Sequence, residues 1–183
     1  MSVTRCLKLH YLLYLSKPSG NRAVYRTIHQ HKPRRILEFG VGNGERPVRM
    51  IEVATQDTPA DQIDYVGVDC FEARPPVAAP GLTLKNAHRL LRSTGARIRL
   101  LPGDPLSVMS GFANRLGIFD LVVISSGQDM GECGRAWFYI PRLIHSSSVV
   151  IIEPICGDGR QFSMVSQEEI RSLASAGVGR RAA

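Results

Sequence analysis

Three glycines at alternating positions, Gly40, Gly42 and Gly44, follow the acid Glu38 at the end of the apolar run Ile36-Leu37-Glu38-Phe39. Such a run reads as a buried strand, and the glycines behind it read as a tight turn. Their missing side chains let a ligand lie against the backbone. The residues from Glu45 to Ala54 then read as a helix. Strand, glycine turn and helix together form the ligand-binding corner of a doubly wound α/β sheet.

The spacing of the glycines disfavours a dinucleotide. The nicotinamide fingerprint has its third glycine three residues after the second, and that position here is Glu45. A pyrophosphate would sit at the helix N-terminus, where free N–H groups and the dipole attract anions. Glu45 in the first turn repels it, with neighbouring Arg46 as a partial offset. A charge in that place is worth roughly 0.3–1 kcal/mol, enough to tilt the choice of ligand without settling it.

From these residues onward the chain resembles the class I S-adenosylmethionine-dependent methyltransferases. Their first motif, an acid followed by alternating glycines, is matched by Glu38, Gly40, Gly42 and Gly44. The likeness continues in order. Tyr65-Val66-Gly67-Val68-Asp69 is similar to the second strand with its terminal acid, and Leu101-Pro102-Gly103-Asp104 to the end of the third. Phe119-Asp120-Leu121-Val122-Val123-Ile124 is similar to the fourth, and Ser148-Val149-Val150-Ile151-Ile152-Glu153 to the fifth. The resemblance implies an α/β fold: a doubly wound, mainly parallel five-stranded sheet in the order 3-2-1-4-5 with helices on both faces. It implies S-adenosylmethionine as cofactor, bound beyond the strand ends where the strand order reverses.

Each matched position then has a chemical rationale. Asp69 at a strand end suits a ribose, since a carboxylate accepts both hydroxyl hydrogens at about 1.5–3 kcal/mol for each charge-assisted bond; the other reading is a plain strand-end acid. Cys70 and Phe71 would flank an adenine, with core packing an equal alternative for Phe71. Asp104 would accept from the adenine amine, with Pro105 shaping the pocket, or would cap the next helix, a common role for Asp before Pro. Glu38 would organise the methionine amino group or brace the glycine turn. Ser125, ending the fourth strand, would meet donor or acceptor through its hydroxyl or carbonyl.

The acceptor side has less to offer. Nucleic-acid amino methyltransferases carry an Asn/Asp-Pro-Pro-aromatic run after the fourth strand, where this chain has Ser125-Ser126-Gly127-Gln128. Catechol-type enzymes hold a metal with an acid there and an Asp-Asn pair after the fifth strand, where this chain has Glu153-Pro154. No metal site is expected. Gln128 and Asp129 are the best-situated residues for orienting an acceptor. His29 and His31 flank a helix end, and His10, His88 and His145 fall on predicted helices, so a surface or structural role is favoured over a general base for each. No catalytic residue is assigned.

The elements that must position these residues follow from the pattern. Helices are predicted over 4–16, 22–31 (capped by Asn21), 45–56, 82–94, 105–116, 131–145 and 167–176. The last is capped by Ser166 with Glu169 completing a capping box. Strands are predicted at 34–39, 64–69, 97–102, 119–125 and 148–153. The 183 residues suit one cofactor-binding domain over 33–178, preceded by a helical segment over 1–32 and followed by a flexible tail over 179–183. The antiparallel hairpin that usually completes the family's sheet has too few residues left after the last helix. The fifth strand is therefore expected at an edge, covered by the C-terminal tail, the N-terminal helical region or a second copy of the chain in a homodimer.

Composition bounds the partners. The net charge of +7 and the isoelectric point near 9.6 invite a nucleic acid, but the arginines are dispersed and no basic stretch is interleaved with aromatics. Tyr11–Leu15 is too short to span a bilayer. The four cysteines form no C-x-x-C pair, which fits reduced thiols in a cytoplasmic protein. The leading expectation is methyl transfer to a small-molecule acceptor. A non-catalytic binding or scaffold module with the same fold is the contender, and an NAD-type oxidoreductase stands further behind.

Overall fold

A computed structural model describes residues 3–74, 81–125, 132–153 and 162–179. In chain order the elements are α1 (Val3–His10), α2 (Asn21–His31), β1 (Arg35–Phe39), α3 (Glu45–Ala54), β2 (Asp64–Asp69) and α4 (Leu84–Arg92). Then come β3 (Arg97–Pro102), α5 (Pro105–Leu116), β4 (Phe119–Ile124), β5 (Ile144–Ile152), β6 (Ser163–Val165) and α6 (Gln167–Gly179). The sheet runs β3-β2-β1-β4-β5-β6. Its first five strands are parallel, and β6 is antiparallel to β5. The order reverses between β1 and β4, so the C-terminal ends of those two strands open the crevice expected of such sheets.

Period-two alternation divides the strands between two apolar layers. Ile36, Tyr65, Leu121 and Val123 face a layer built with Val24, Tyr25 and Ile28 of α2, Met50 and Ile51 of α3, and Leu91 of α4. Leu37, Val66, Val68 and Val122 face the other layer, with Val108 and Met109 of α5, Trp137 and Ile140 from the turn before β5, and Ile170 of α6. Glu38 is the exception among the buried residues of β1, an acid between Leu37 and Phe39.

The predicted order 3-2-1-4-5 stands, but the sheet has six strands rather than five. The sixth comes from residues before the last helix, not after it. Val165, Met164 and Ser163 pair with Val150, Ile151 and Ile152. The outward backbone groups of β5 thereby find partners within the chain, and β5 is not the edge strand over those residues. Ser166 follows at once and caps α6 in the expected box. Its hydroxyl accepts from Glu169 N at 3.2 Å, while the Glu169 carboxylate accepts from Ser166 N at 2.8 Å.

Other differences are local. The predicted helix over 131–145 is a 3-10 segment, Glu132–Arg142, because Gly134 takes a φ of +74° and Pro141 lacks the donor an α-turn requires. The chain has entered β5 by Ile144, so His145 lies in a strand rather than a helix, with Nε2 3.2 Å from Asp120 Oδ1. The first helix passes into a π-turn at Tyr11–Leu15, and Asn21 is the first residue of α2, not its cap. Among the described residues no helix is long and apolar enough to cross a membrane.

Candidate functional site

The glycine turn lies at the reversal point with all three glycines at positive φ: +95° at Gly40, +65° at Gly42 and +79° at Gly44. Two of them have distinct uses. A Cβ on Gly44 would fall 2.6 Å from Leu90 and 2.7 Å from Leu82, so its absence lets α4 close against the turn. A Cβ on Gly42 would meet nothing within 4 Å, so this backbone faces open space, where a ligand can approach it.

Glu38 is saturated. Its Oε1 accepts from Arg46 Nε at 2.6 Å and its Oε2 from the buried Tyr65 hydroxyl. Burial and the Glu38 charge push the Tyr65 phenol well above its ordinary range, which keeps it a donor. Arg46 then reaches across the crevice floor. Its Nη2 donates to Gly40 O at 2.6 Å and to Ser125 Oγ, and its guanidinium lies 5.3 Å from the Phe162 ring centroid. One side chain thus joins the ends of β1 and β4 to the residue that leads into β6. Glu45, expected to repel anions at the α3 N-terminus, is instead answered by Arg49 one turn on. Arg46 points inward and is not the offset to it.

Asp69, also fully buried, closes the other side of the turn. Its Oδ2 accepts from Gly42 N at 3.0 Å and from Arg74 Nη2; its Oδ1 accepts from Arg74 Nε at 2.8 Å and from Phe71 N at 3.1 Å. Burial works to raise its pKa, but the bonds from Arg74, Gly42 and Phe71 outweigh it and hold the carboxyl below its ordinary 3.8. A depressed native pKa stabilises the fold above the unfolded value and loses that contribution as pH falls through the native one. Stability should therefore decline with acid below the ordinary carboxylate range. In Asp69→Asn, urea unfolding followed across that range should show a shallower acid limb.

The remaining predicted residues follow the ends of β2 and β3. Cys70 carries a half-buried free thiol, whose pKa burial raises, followed by the Asp69 and Asp104 charges; it is a neutral group rather than a nucleophile. Asp104 is exposed and caps α5, accepting from Ser107 N at 3.0 Å, with Pro105 at the first helical position. Gly103 N donates to Asp69 O at 2.9 Å, which brings the Asp104 turn against the end of β2. Phe71 is buried in the apolar layer at a φ of +47°, which favours its packing reading over an adenine contact. Gln128, Asp129, Ser126, Gly127 and Pro154 lie outside the described residues.

The structure thus gathers the predicted residues into two groups that meet at the glycine turn: Glu38, Gly40 and Ser125 around Arg46, and Gly42, Asp69, Cys70 and Asp104 around the end of β2. Arg46, Tyr65 and Arg74 are the members that sequence reasoning missed. The alternation of β2 puts Tyr65 on a defined face and is a signal for it. Nothing in the spacing of an arginine five or eight residues from an acid marks the other two.

No protein-family model matches this sequence, and no curated protein does. Solved structures do match in three dimensions. The O-methyltransferase TomG from Streptomyces achromogenes, involved in tomaymycin synthesis and solved with SAM, aligns at a TM-score of 0.56 and 15% identity, over 98% of this chain and 80% of its own. The O-methyltransferase from Bacillus cereus, in complex with SAH, aligns at 0.57 and 12% identity over 100% and 81%. A methyltransferase from Geobacter sulfurreducens aligns at 0.53 and 14% over 83% and 71%. What this chain shares with them is the class I methyltransferase fold.

Proposed function

We propose that the chain is an S-adenosylmethionine-dependent methyltransferase acting on a small-molecule acceptor. The observation that carries this reading is the open Gly42 backbone, with its N–H on the Asp69 carboxylate, at the reversal point of a methyltransferase fold. The residues fit the cofactor in part. The Gly40–Gly44 backbone would cradle it, Asp69 would take the ribose, and Cys70, Asp104 and Pro105 would form the adenine rim. Glu38, with both oxygens engaged by Arg46 and Tyr65, would act through Arg46 as a brace for the turn rather than on the methionine amino group. Ser125 shares that brace.

When bound, the cofactor supplies a methyl group on a sulfonium, so the protein's own task is to orient an acceptor and exclude water. Residues 33–178 are the unit proposed to do this, with 1–32 an appended segment tied to α3 through the Lys8–Glu52 ion pair and the Arg49 bond to Lys17 O. One observation favours a non-catalytic module instead: arginines already engage both crevice acids. Methyl transfer to any acceptor in a panel excludes that second reading. The first test is calorimetric. S-adenosylhomocysteine should bind more tightly than NAD, and equal or tighter NAD binding defeats the cofactor assignment.

A further inference from the structure

We propose that Arg74 sets the affinity of the Asp69 seat by occupying it, so that a ribose enters only in exchange for the guanidinium. The inference rests on the cofactor reading above and goes beyond it to the residue that controls entry.

An ionised carboxylate has about four acceptor positions. In Asp69 all four are used, two by the Gly42 and Phe71 N–H groups and two by the Arg74 fork. The backbone donors are fixed by the turn and by the bend after β2. Arg74 is the movable partner, and its parallel N–H groups make the two bonds that a ribose diol would make. Diol and guanidinium therefore compete for one pair of oxygens.

The occupied arrangement is built into the chain on two sides. A Cβ on Gly81 would lie 1.4 Å from Arg74 Nη1 and 2.1 Å from its Cζ, so the guanidinium rests in a slot that only glycine leaves open. On the other side, Arg74 follows the short 3-10 turn Phe71–Ala73, whose first residue is a buried phenylalanine at a φ of +47°. A non-glycine residue held in that region has its conformation imposed by its surroundings. The bend returns Arg74 to an acid five residues behind it.

The experiment is calorimetric titration of S-adenosylhomocysteine into the wild-type chain and into two variants, Arg74→Ala and Gly81→Ala. The first removes the competitor. The second keeps every charge and only fills the slot, and the guanidinium, at the end of a flexible side chain, is what must move. If the arginine holds the seat in nine molecules of ten, the apparent affinity of the wild type is about tenfold below that of the freed site. Both variants are therefore expected to bind about tenfold tighter than wild type, to a similar extent. Equal or weaker binding in both, with circular dichroism showing them folded, overturns the proposal and leaves Arg74 as a fixed part of the site. Should Arg74→Ala not fold, Gly81→Ala decides alone. No binding by any of the three would instead remove the cofactor reading, and this proposal with it.

Discussion

Alanine at Asp69 is expected to weaken S-adenosylhomocysteine binding by about 2–4 kcal/mol, because two charge-assisted bonds to a ribose are lost and water restores part of them. That is roughly a 30- to 700-fold rise in Kd. The same change should also destabilise the fold. From sequence, a strand-end acid is expected near solvent, where its removal would affect folding little. The structure buries Asp69 completely and gives it four donors. Breaking a buried pair by removing one partner costs about 3–5 kcal/mol. Calorimetry and urea unfolding on Asp69→Ala read the two effects separately. A loss of stability with unchanged affinity would reduce Asp69 to an anchor for Arg74.

A second large effect is expected at Glu38. Glu38→Ala takes from the Arg46 guanidinium its hydrogen-bonded ion-pair partner, with the Glu153 charge remaining, and from the buried Tyr65 hydroxyl its acceptor. The expected cost is again about 3–5 kcal/mol. A buried pair replaced as a whole by apolar residues of similar volume is often neutral, so Glu38→Leu combined with Arg46→Met should recover much of the loss. A double-mutant cycle in urea should give a coupling of about 0.5–3 kcal/mol. Strict additivity would mean that the two side chains do not depend on each other, contrary to the network drawn around them.

The central parallel strands β1, β2 and β4 were legible because they are short, largely apolar runs, a pattern set by burial on both faces. Ser163–Val165 carried no such mark. Three residues with one exposed methionine form a strand only because β5 offers them an unpaired edge, and that is tertiary context rather than propensity. The segment before β5 misled for a different reason. Its apolar spacing suits a helix, yet Gly134 and Pro141 enforce tighter turns. At the site, the acids and glycines could be read from position. Their arginine partners could not, because a long side chain chooses its acid by the packing around it. The capping role of Ser166 was legible in full and that of Asp104 as one of two readings, since a cap is specified within four residues of chain.

The two margins of the sheet bear on self-association. On one margin, β3 presents Arg97 and Arg99 and ends in Pro102, a sequence that repels a like strand and lacks a donor at its tip. On the other, β6 is only three residues long, and the part of β5 it leaves uncovered, residues 144–149, holds His145 and a run of three serines between two aliphatic residues. Among the described residues neither margin offers the long, flat, apolar ladder that templates cross-chain strand addition. Over its described residues the sheet therefore carries its own guard against amyloid-type growth and strand exchange.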